Sequence, residues 1–165
     1  MRFFGILISI FLMLPAGANV FEHEKPLKEI VKELPELNST NCTFRQEKQI
    51  SGMIIKSSGD FKFEKGKGVT FYTTYPIKST TSYTSKEYSR INDVINAISS
   101  KSYSRLEKDF KFYFENGSSW KLGLLTKQSS RLFNYLKSIE IEGNKNITKI
   151  VILNADSTKT SIWFK

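Results

Sequence analysis

Cysteine and histidine are almost absent from this chain of 165 residues, which has only Cys42 and His23. One cysteine cannot form an intramolecular disulfide, and the pair cannot build an all-Cys/His zinc site. His23 lies in a segment expected to fray, so it is not expected to activate a nucleophile. Most carboxylates alternate with apolar residues, as they do on solvated strand faces. We therefore expect no enzymatic activity, no metal site and no cofactor.

Long apolar runs are also scarce, and the one present lies at the N-terminus, from Phe3 to Leu14. It follows Arg2 and ends in small residues up to Ala18, so residues 1–18 are predicted to be a cleavable secretory signal peptide. A dozen helical residues would span roughly 18 Å, well short of the ~30 Å hydrocarbon core of a bilayer, which disfavours a retained anchor. No repeat or linker divides residues 19–165, which are predicted to form a single domain.

Acidic side chains are the minority charge, with 16 Asp and Glu against 25 Lys and Arg, for a net charge of +9. A basic surface favours acidic protein partners or anionic membranes. The lysines are scattered along the chain and do not follow one groove with exposed aromatic rings. Nucleic-acid binding is therefore not expected.

Two segments have apolar residues at helical spacing. The first runs from Pro26 to Leu34 and is limited by Pro35, because a residue before proline disfavours the helical backbone. The second lies between Asp93 and Lys108 and predicts one or two short helices. The apolar residues of these helices that could cover a sheet are Leu27, Ile30, Val31, Leu34, Ile95 and Ile98.

From about Cys42 onward, most of the chain alternates apolar and polar residues, which predicts about nine short antiparallel strands in a meander. Asn116-Gly117 has the preferred chemistry of a tight hairpin turn. The helical segments are too short to cover so wide a flat sheet. The sequence therefore predicts a mainly β fold with short helices, an incomplete antiparallel β-barrel (half-barrel) closed by a helical lid.

The side chains predicted to line the interior of this half-barrel are mostly aromatic. A purely structural core and a cavity that holds an apolar ligand would both show this pattern, so the pattern alone does not separate them. The predicted wall residues are Phe44, Phe61, Phe63, Phe71, Tyr83, Phe110, Phe112, Phe114, Trp120, Leu122, Ile152 and Phe164.

The order of several short motifs resembles that of the LolA-type periplasmic carriers of outer-membrane lipoproteins, over nearly all of residues 19–165. In the first half these motifs are Phe44-Arg45-Gln46, Ser57-Ser58-Gly59-Asp60-Phe61-Lys62-Phe63 and Gly68 to Pro76. In the second half they are Leu106 to Phe110, Gly117 to Trp120, Lys121-Leu122 with Leu124 to Lys127, Ile139 to Gly143 and Thr158 to Phe164. Phe71 stands where tryptophan is commoner in that family. Lys65 stands where the best-known carriers have an arginine that opens and closes the cavity.

This resemblance implies a periplasmic location and an apolar interior that accepts the acyl chains of lipoproteins or of a related lipid. It also implies two partners, an inner-membrane ABC-type lipoprotein releaser and an outer-membrane acceptor, for a carrier expected to be a monomer. The two helices would form a movable lid, and Lys65 is a possible gate residue. Lysine lacks the planar fork with which arginine reaches several carbonyl groups, so its gating role would differ.

An alternative hypothesis fits the same composition. The protein could be a secreted, basic β-protein that binds a polyanion or a protein partner through its surface, with a purely structural core. The two hypotheses differ in whether the interior takes up an acyl chain.

Overall fold

One antiparallel sheet of nine strands forms most of the part of the chain that the computed structural model describes, residues 19–82, 89–100 and 103–165. The sheet is not closed, because β4 and β5 at its two edges do not pair with each other. The predicted mainly β, half-barrel fold is therefore confirmed. The strands are β1 (Thr40–Ile50), β2 (Met53–Glu64), β3 (Gly68–Tyr75), β4 (Ser79–Ser82), β5 (Phe110–Asn116), β6 (Trp120–Thr126), β7 (Leu136–Gly143), β8 (Ile147–Asn154) and β9 (Lys159–Phe164).

The order of the strands is β4-β3-β2-β1-β9-β8-β7-β6-β5, so the prediction of one continuous meander was wrong. Two meanders, β1–β4 and β5–β9, are joined where β1 pairs with β9, with Phe44 opposite Phe164. A period-two pattern locates strands but does not say which strands become neighbours. The connection from β4 to β5 must therefore pass from one edge of the sheet to the other.

Within residues 19–82, 89–100 and 103–165 there are three short α-helices: α1 (Leu27–Glu33), α2 (Ser89–Ser100) and α3 (Ser104–Glu107). The predicted helices are thus confirmed, and α1 ends where Leu34 adopts an extended backbone before Pro35. In the described part of the chain, no helix is long and apolar enough to cross a membrane. Buried residues of α1 and α2, including Ile30 and Ile98, share one apolar cluster with one face of the sheet, hereafter the inner face.

The β5–β6 hairpin has a three-residue loop, residues 117–119, where the sequence predicted a tight turn at Asn116-Gly117. A two-residue loop would have paired Phe112 with Lys121 and placed a lysine on the inner face. The observed register pairs Phe112 with Leu124, so the aromatic residues of β5 face the leucines of β6. Burial of the apolar face therefore decides the register over the local turn preference.

The segment from Asn19 to Lys25, which was expected to fray at His23, is bound to the sheet. The Phe114 amide donates to the His23 carbonyl (3.0 Å), and the Lys25 amide donates to the Phe112 carbonyl (3.3 Å). The Phe21 ring packs edge-on against Tyr113 on the outer face of the sheet, with centroids 5.5 Å apart. Residues 23–25 consequently cover part of the edge of β5.

Candidate functional site

Eleven of the twelve predicted wall residues lie in the described part of the chain, and all eleven belong to or pack against one apolar cluster on the inner face. Tyr83 lies outside the described residues. Ile152 is partly buried. The other ten are buried: Phe44, Phe61, Phe63, Phe71, Phe110, Phe112, Phe114, Trp120, Leu122 and Phe164.

Four phenylalanine rings form the centre of this wall across β9, β1, β2 and β3. The Phe71 ring contacts Phe44 and Phe61 edge-on, with centroids 5.0 Å apart in both pairs, and Phe61 lies 4.6 Å from Phe164. Register explains this contact, because Phe61 is directly opposite Phe71, and Phe44 is directly opposite Phe164. Directly opposed side chains share one face of a sheet, so the alternating sequence gathers the rings on the inner face.

A small cavity of about 20 Å³ lies between this wall and the helices, toward the end of the sheet where β1 begins. Phe61 and Phe63 form one side of it, and Ile95 of α2 forms another. It has room for about one water molecule, whereas pockets for drug-sized ligands have volumes of ~300–1,000 Å³. The described side chains that line this cavity therefore leave no room in it for a drug-sized ligand.

Three apolar residues at this cavity were not predicted as wall residues. Leu37 follows Pro35, outside the helical pattern, and Ile147 lies at the start of β8, beyond the β7–β8 turn. Cys42 also lines the cavity, and burial raises the pKa of its thiol. The sequence pattern places Ile147 in a strand but does not place it at the cavity. Its position there depends on where the β7–β8 turn lies in the folded chain.

Side chains of both predicted lid segments cover the inner face. Ile30, Leu34, Ile95 and Ile98 are buried in the apolar cluster. Leu27 and Val31 are partly buried and pack against that cluster. The helices thus supply one side of the apolar interior, and the curved sheet supplies the other.

Lys65 lies in the exposed turn between β2 and β3. Its ammonium pairs with the Glu36 carboxylate, and its amide donates to Ser39 Oγ (3.1 Å). Both partners belong to the segment between α1 and β1. Because both charged groups are solvent-exposed, the pair contributes at most about 1 kcal/mol to stability. A gating role for Lys65 stays a prediction.

Tyr103, just before α3, brings a hydroxyl into the apolar cluster. It is 5% exposed, and its hydroxyl has no hydrogen-bond partner among the described residues. Burial raises the pKa of Tyr103 to about 12.

We expect Tyr103→Phe to raise the free energy of unfolding by about 1 kcal/mol, because it removes a buried polar atom without a partner. The wild-type protein should also lose stability above pH 10, where the unfolded state releases the Tyr103 proton first, and this loss should be smaller in the variant. Urea denaturation across this pH range measures both effects. Tyr135→Phe, at a 74% exposed position, is the matched control and should change little. A destabilised Tyr103→Phe would mean that the hydroxyl has a partner.

No family model matches the sequence, and no curated protein matches it. Among solved structures, the chain is similar to a DUF1329 family protein from Desulfovibrio piger, with 7% sequence identity and a TM-score of 0.33. The matched region covers 84% of this chain and 88% of that chain. A TM-score of this size does not establish a shared fold, so the half-barrel assignment depends on the strand order and register of this chain.

Proposed function

We propose that this protein binds the acyl chains of a lipoprotein or a related lipid between the inner face of its sheet and its helices. As an exported periplasmic carrier without enzymatic activity, it would move that cargo from an inner-membrane ABC-type releaser to an outer-membrane acceptor. The cargo and both partners are the ones that the resemblance to LolA-type carriers implies.

The observation that carries this proposal is the way the inner face is covered. An aromatic wall that spans an unclosed sheet is covered by helices of 7, 12 and 4 residues, and the described residues form no second sheet. Isolated helices of this length are marginal in water and depend on packing against the sheet. Helices of this kind can be displaced without breaking the hydrogen bonds between the strands, and displacement would uncover the wall.

In this proposal, the described conformation is the closed, cargo-free one. A space of about 20 Å³ cannot hold an acyl chain. Cargo binding then requires that α2 move away from Phe61 and Phe63. Burial of the cargo supplies the free energy for this displacement of α2, because removing each methylene group from water contributes roughly 0.8 kcal/mol.

We expect Ile98→Ala in α2 to raise the apparent affinity for a fluorescent fatty-acyl probe by about tenfold, a change of 1.4 kcal/mol. Ile98 is fully buried, and truncating a buried isoleucine costs ~2–5 kcal/mol. That loss falls on the closed state, in which the helix is packed. A smaller closing free energy raises the fraction of protein that is open and able to bind. Fluorescence titration of the folded proteins measures the effect.

Two variants complete this experiment. Phe63→Ala removes part of the wall and should lower the probe affinity. Val20→Ala deletes buried methyl groups on the outer face, beside Gly123, so it should lower stability without changing the affinity. If folded wild type and Ile98→Ala both fail to take up the probe, the interior is a structural core and the surface-binding alternative is favoured. Mass spectrometry of lipid extracted from the protein, purified from its own periplasm, would identify the cargo.

A further inference from the structure

Large exposed apolar residues are concentrated at one end of the sheet, where β1 ends and β2 begins. Of the nine such residues in the described part of the chain, seven lie in the β1–β2 hairpin or the turns at this end. Leu125 lies one residue before the end of β6 at the same end, and Tyr72 lies within β3. We call this end the hairpin end. A contiguous exposed apolar patch on a protein marks an interaction surface more often than scattered single residues do. The seven residues are Met53, Ile54, Ile55, Tyr75, Ile77, Phe133 and Tyr135.

The β1–β2 hairpin extends past the end of β3 and forms an arm, residues 50–57. On its other side, β1 stays paired with β9 as far as Gln49. β3 ends at Tyr75, opposite Ser58, so residues 53–57 of β2 have no partner on β3. Met53, Ile54 and Ile55 of the arm are 63%, 55% and 50% exposed, on both faces of the hairpin. Folding of the described chain leaves these side chains in solvent, although each could be buried against a partner.

The other apolar residues of the hairpin end lie beside the arm. Tyr75 and Ile77 stand where β3 turns into β4, and Ile77 is 76% exposed. Tyr135 lies on the other side, where its carbonyl accepts a hydrogen bond from Ala155 in the β8–β9 turn (3.0 Å). Exposed apolar residues thus lie on both sides of the arm at the hairpin end.

The segments at the hairpin end carry an excess of positive charge. These segments are residues 47–56, 75–79, 107–110, 127–137 and 155–159. Together they contain eight Lys and Arg residues and four Asp and Glu residues. Lys56, which directly follows Ile55, lies 3.9 Å from the Glu47 carboxylate, and Lys78 directly follows Ile77. Apolar tips beside basic residues are typical of proteins that lie in the interface of an anionic bilayer.

We infer that the hairpin end is a membrane-docking surface, in which the arm inserts Met53, Ile54 and Ile55 among the headgroups of an anionic bilayer. A second copy of the chain is a poorer occupant, because two basic ends would repel each other. This inference goes beyond the proposed function, because it concerns another surface. The small cavity lies toward the opposite end of the sheet, where Thr40 and Ile147 are.

The test is vesicle co-sedimentation of wild type and the double variant Ile54→Thr/Ile55→Thr. Threonine keeps the β-branched shape that favours a strand while it removes apolar surface. Wild type should bind vesicles that contain phosphatidylglycerol at least tenfold more tightly than pure phosphatidylcholine vesicles, and added salt should weaken that binding. The double variant should lose at least tenfold of the affinity for anionic vesicles. Both proteins carry the same N-terminal residues, so the difference between them measures the arm alone.

Tyr72→Thr is the matched control, because it removes an exposed apolar side chain of β3 away from the hairpin end, and its vesicle binding should equal that of wild type. Equal vesicle binding by wild type and the double variant would overturn the inference. Failure of wild type to bind anionic vesicles would also overturn it. A dimer that the double variant abolishes, seen by analytical ultracentrifugation without vesicle binding, would assign the surface to a second copy instead. Acyl-probe uptake by the double variant should be unchanged, which separates this test from that of the interior.

Discussion

Replacing Phe71 with alanine is expected to lower the free energy of unfolding by about 4 kcal/mol, within the range found for buried phenylalanines. Phe71 is 1% exposed and contacts the rings of both Phe44 and Phe61. The substitution removes the apolar contacts and leaves a cavity between β1, β2 and the helices. The sheet can close that cavity only in part, because the backbone positions are fixed by strand pairing. Urea denaturation followed by circular dichroism measures the loss.

The matched control is Tyr72→Ala at the next position of β3. Tyr72 is 42% exposed on the other face of the sheet, so its truncation should cost less than about 1 kcal/mol. Similar losses for the two variants would mean that the inner face is not the main apolar core. A small loss at Phe71 alone would mean that the four rings are loosely packed.

Gly59→Ala should lower the free energy of unfolding by about 3 kcal/mol, at the upper end of the range for overpacked sites. A Cβ at position 59 would lie 2.0 Å from the Tyr72 carbonyl oxygen and 2.9 Å from the Thr73 Cα. Both are backbone atoms of β3, so relief requires that the two strands move apart. The pairing of β2 with β3 shifts register between Ser58 and Gly59, and this close approach accompanies that irregularity.

Gly117→Ala provides the comparison for this substitution. Gly117 lies in the β5–β6 loop, where a Cβ would meet nothing closer than the Ser119 carbonyl oxygen at 3.8 Å. Its denaturation midpoint should stay close to that of wild type. If Gly59→Ala were as stable as Gly117→Ala, β2 and β3 would be free to separate at this point.

The local elements of the fold could be predicted because their patterns are local. The helical spacing of Leu27 and Ile30, followed by Pro35, predicts α1. The alternation of apolar and polar residues around Phe61 and around Phe112 predicts β2 and β5. The pairing of β1 with β9 could not be predicted, since it joins residues about 120 positions apart, such as Phe44 and Phe164. Many strand orders bury the same apolar faces, and residue alternation is equally compatible with all of them.

The candidate site was predictable in composition but not in volume. Alternation correctly assigned Phe71 and its neighbours to one face, because directly opposed residues share a face. Whether that face encloses a ligand or packs against itself depends on how closely the helices approach it. The side chains of Ile95 and Leu37 determine this distance. The cavity that they form with Phe63 has a volume of about 20 Å³, which is smaller than one side chain, and a sequence pattern does not predict so small a difference.

The exposed arm was missed for a different reason. In an alternating strand one of Ile54 and Ile55 should be buried, yet both are exposed. The hairpin extends past the end of β3, and a sequence pattern does not specify how far one strand extends beyond its neighbour. The signal available in the sequence was the run Met53-Ile54-Ile55, which breaks the alternation.

Residues 23–25 cover part of the β5 edge, and this limits how copies of the chain could associate by strand addition. Fibre growth by strand addition needs two available edges on each molecule, so that every added copy offers a new one. Here the bridge between Glu24 and Tyr113 blocks part of one edge, whereas β4 pairs only with β3 among the described strands. Pairing between the β4 edges of two molecules would form a dimer, and growth would stop there because both β4 edges are then occupied. The few residues that follow the predicted cleavage point thus make open-ended stacking unfavourable.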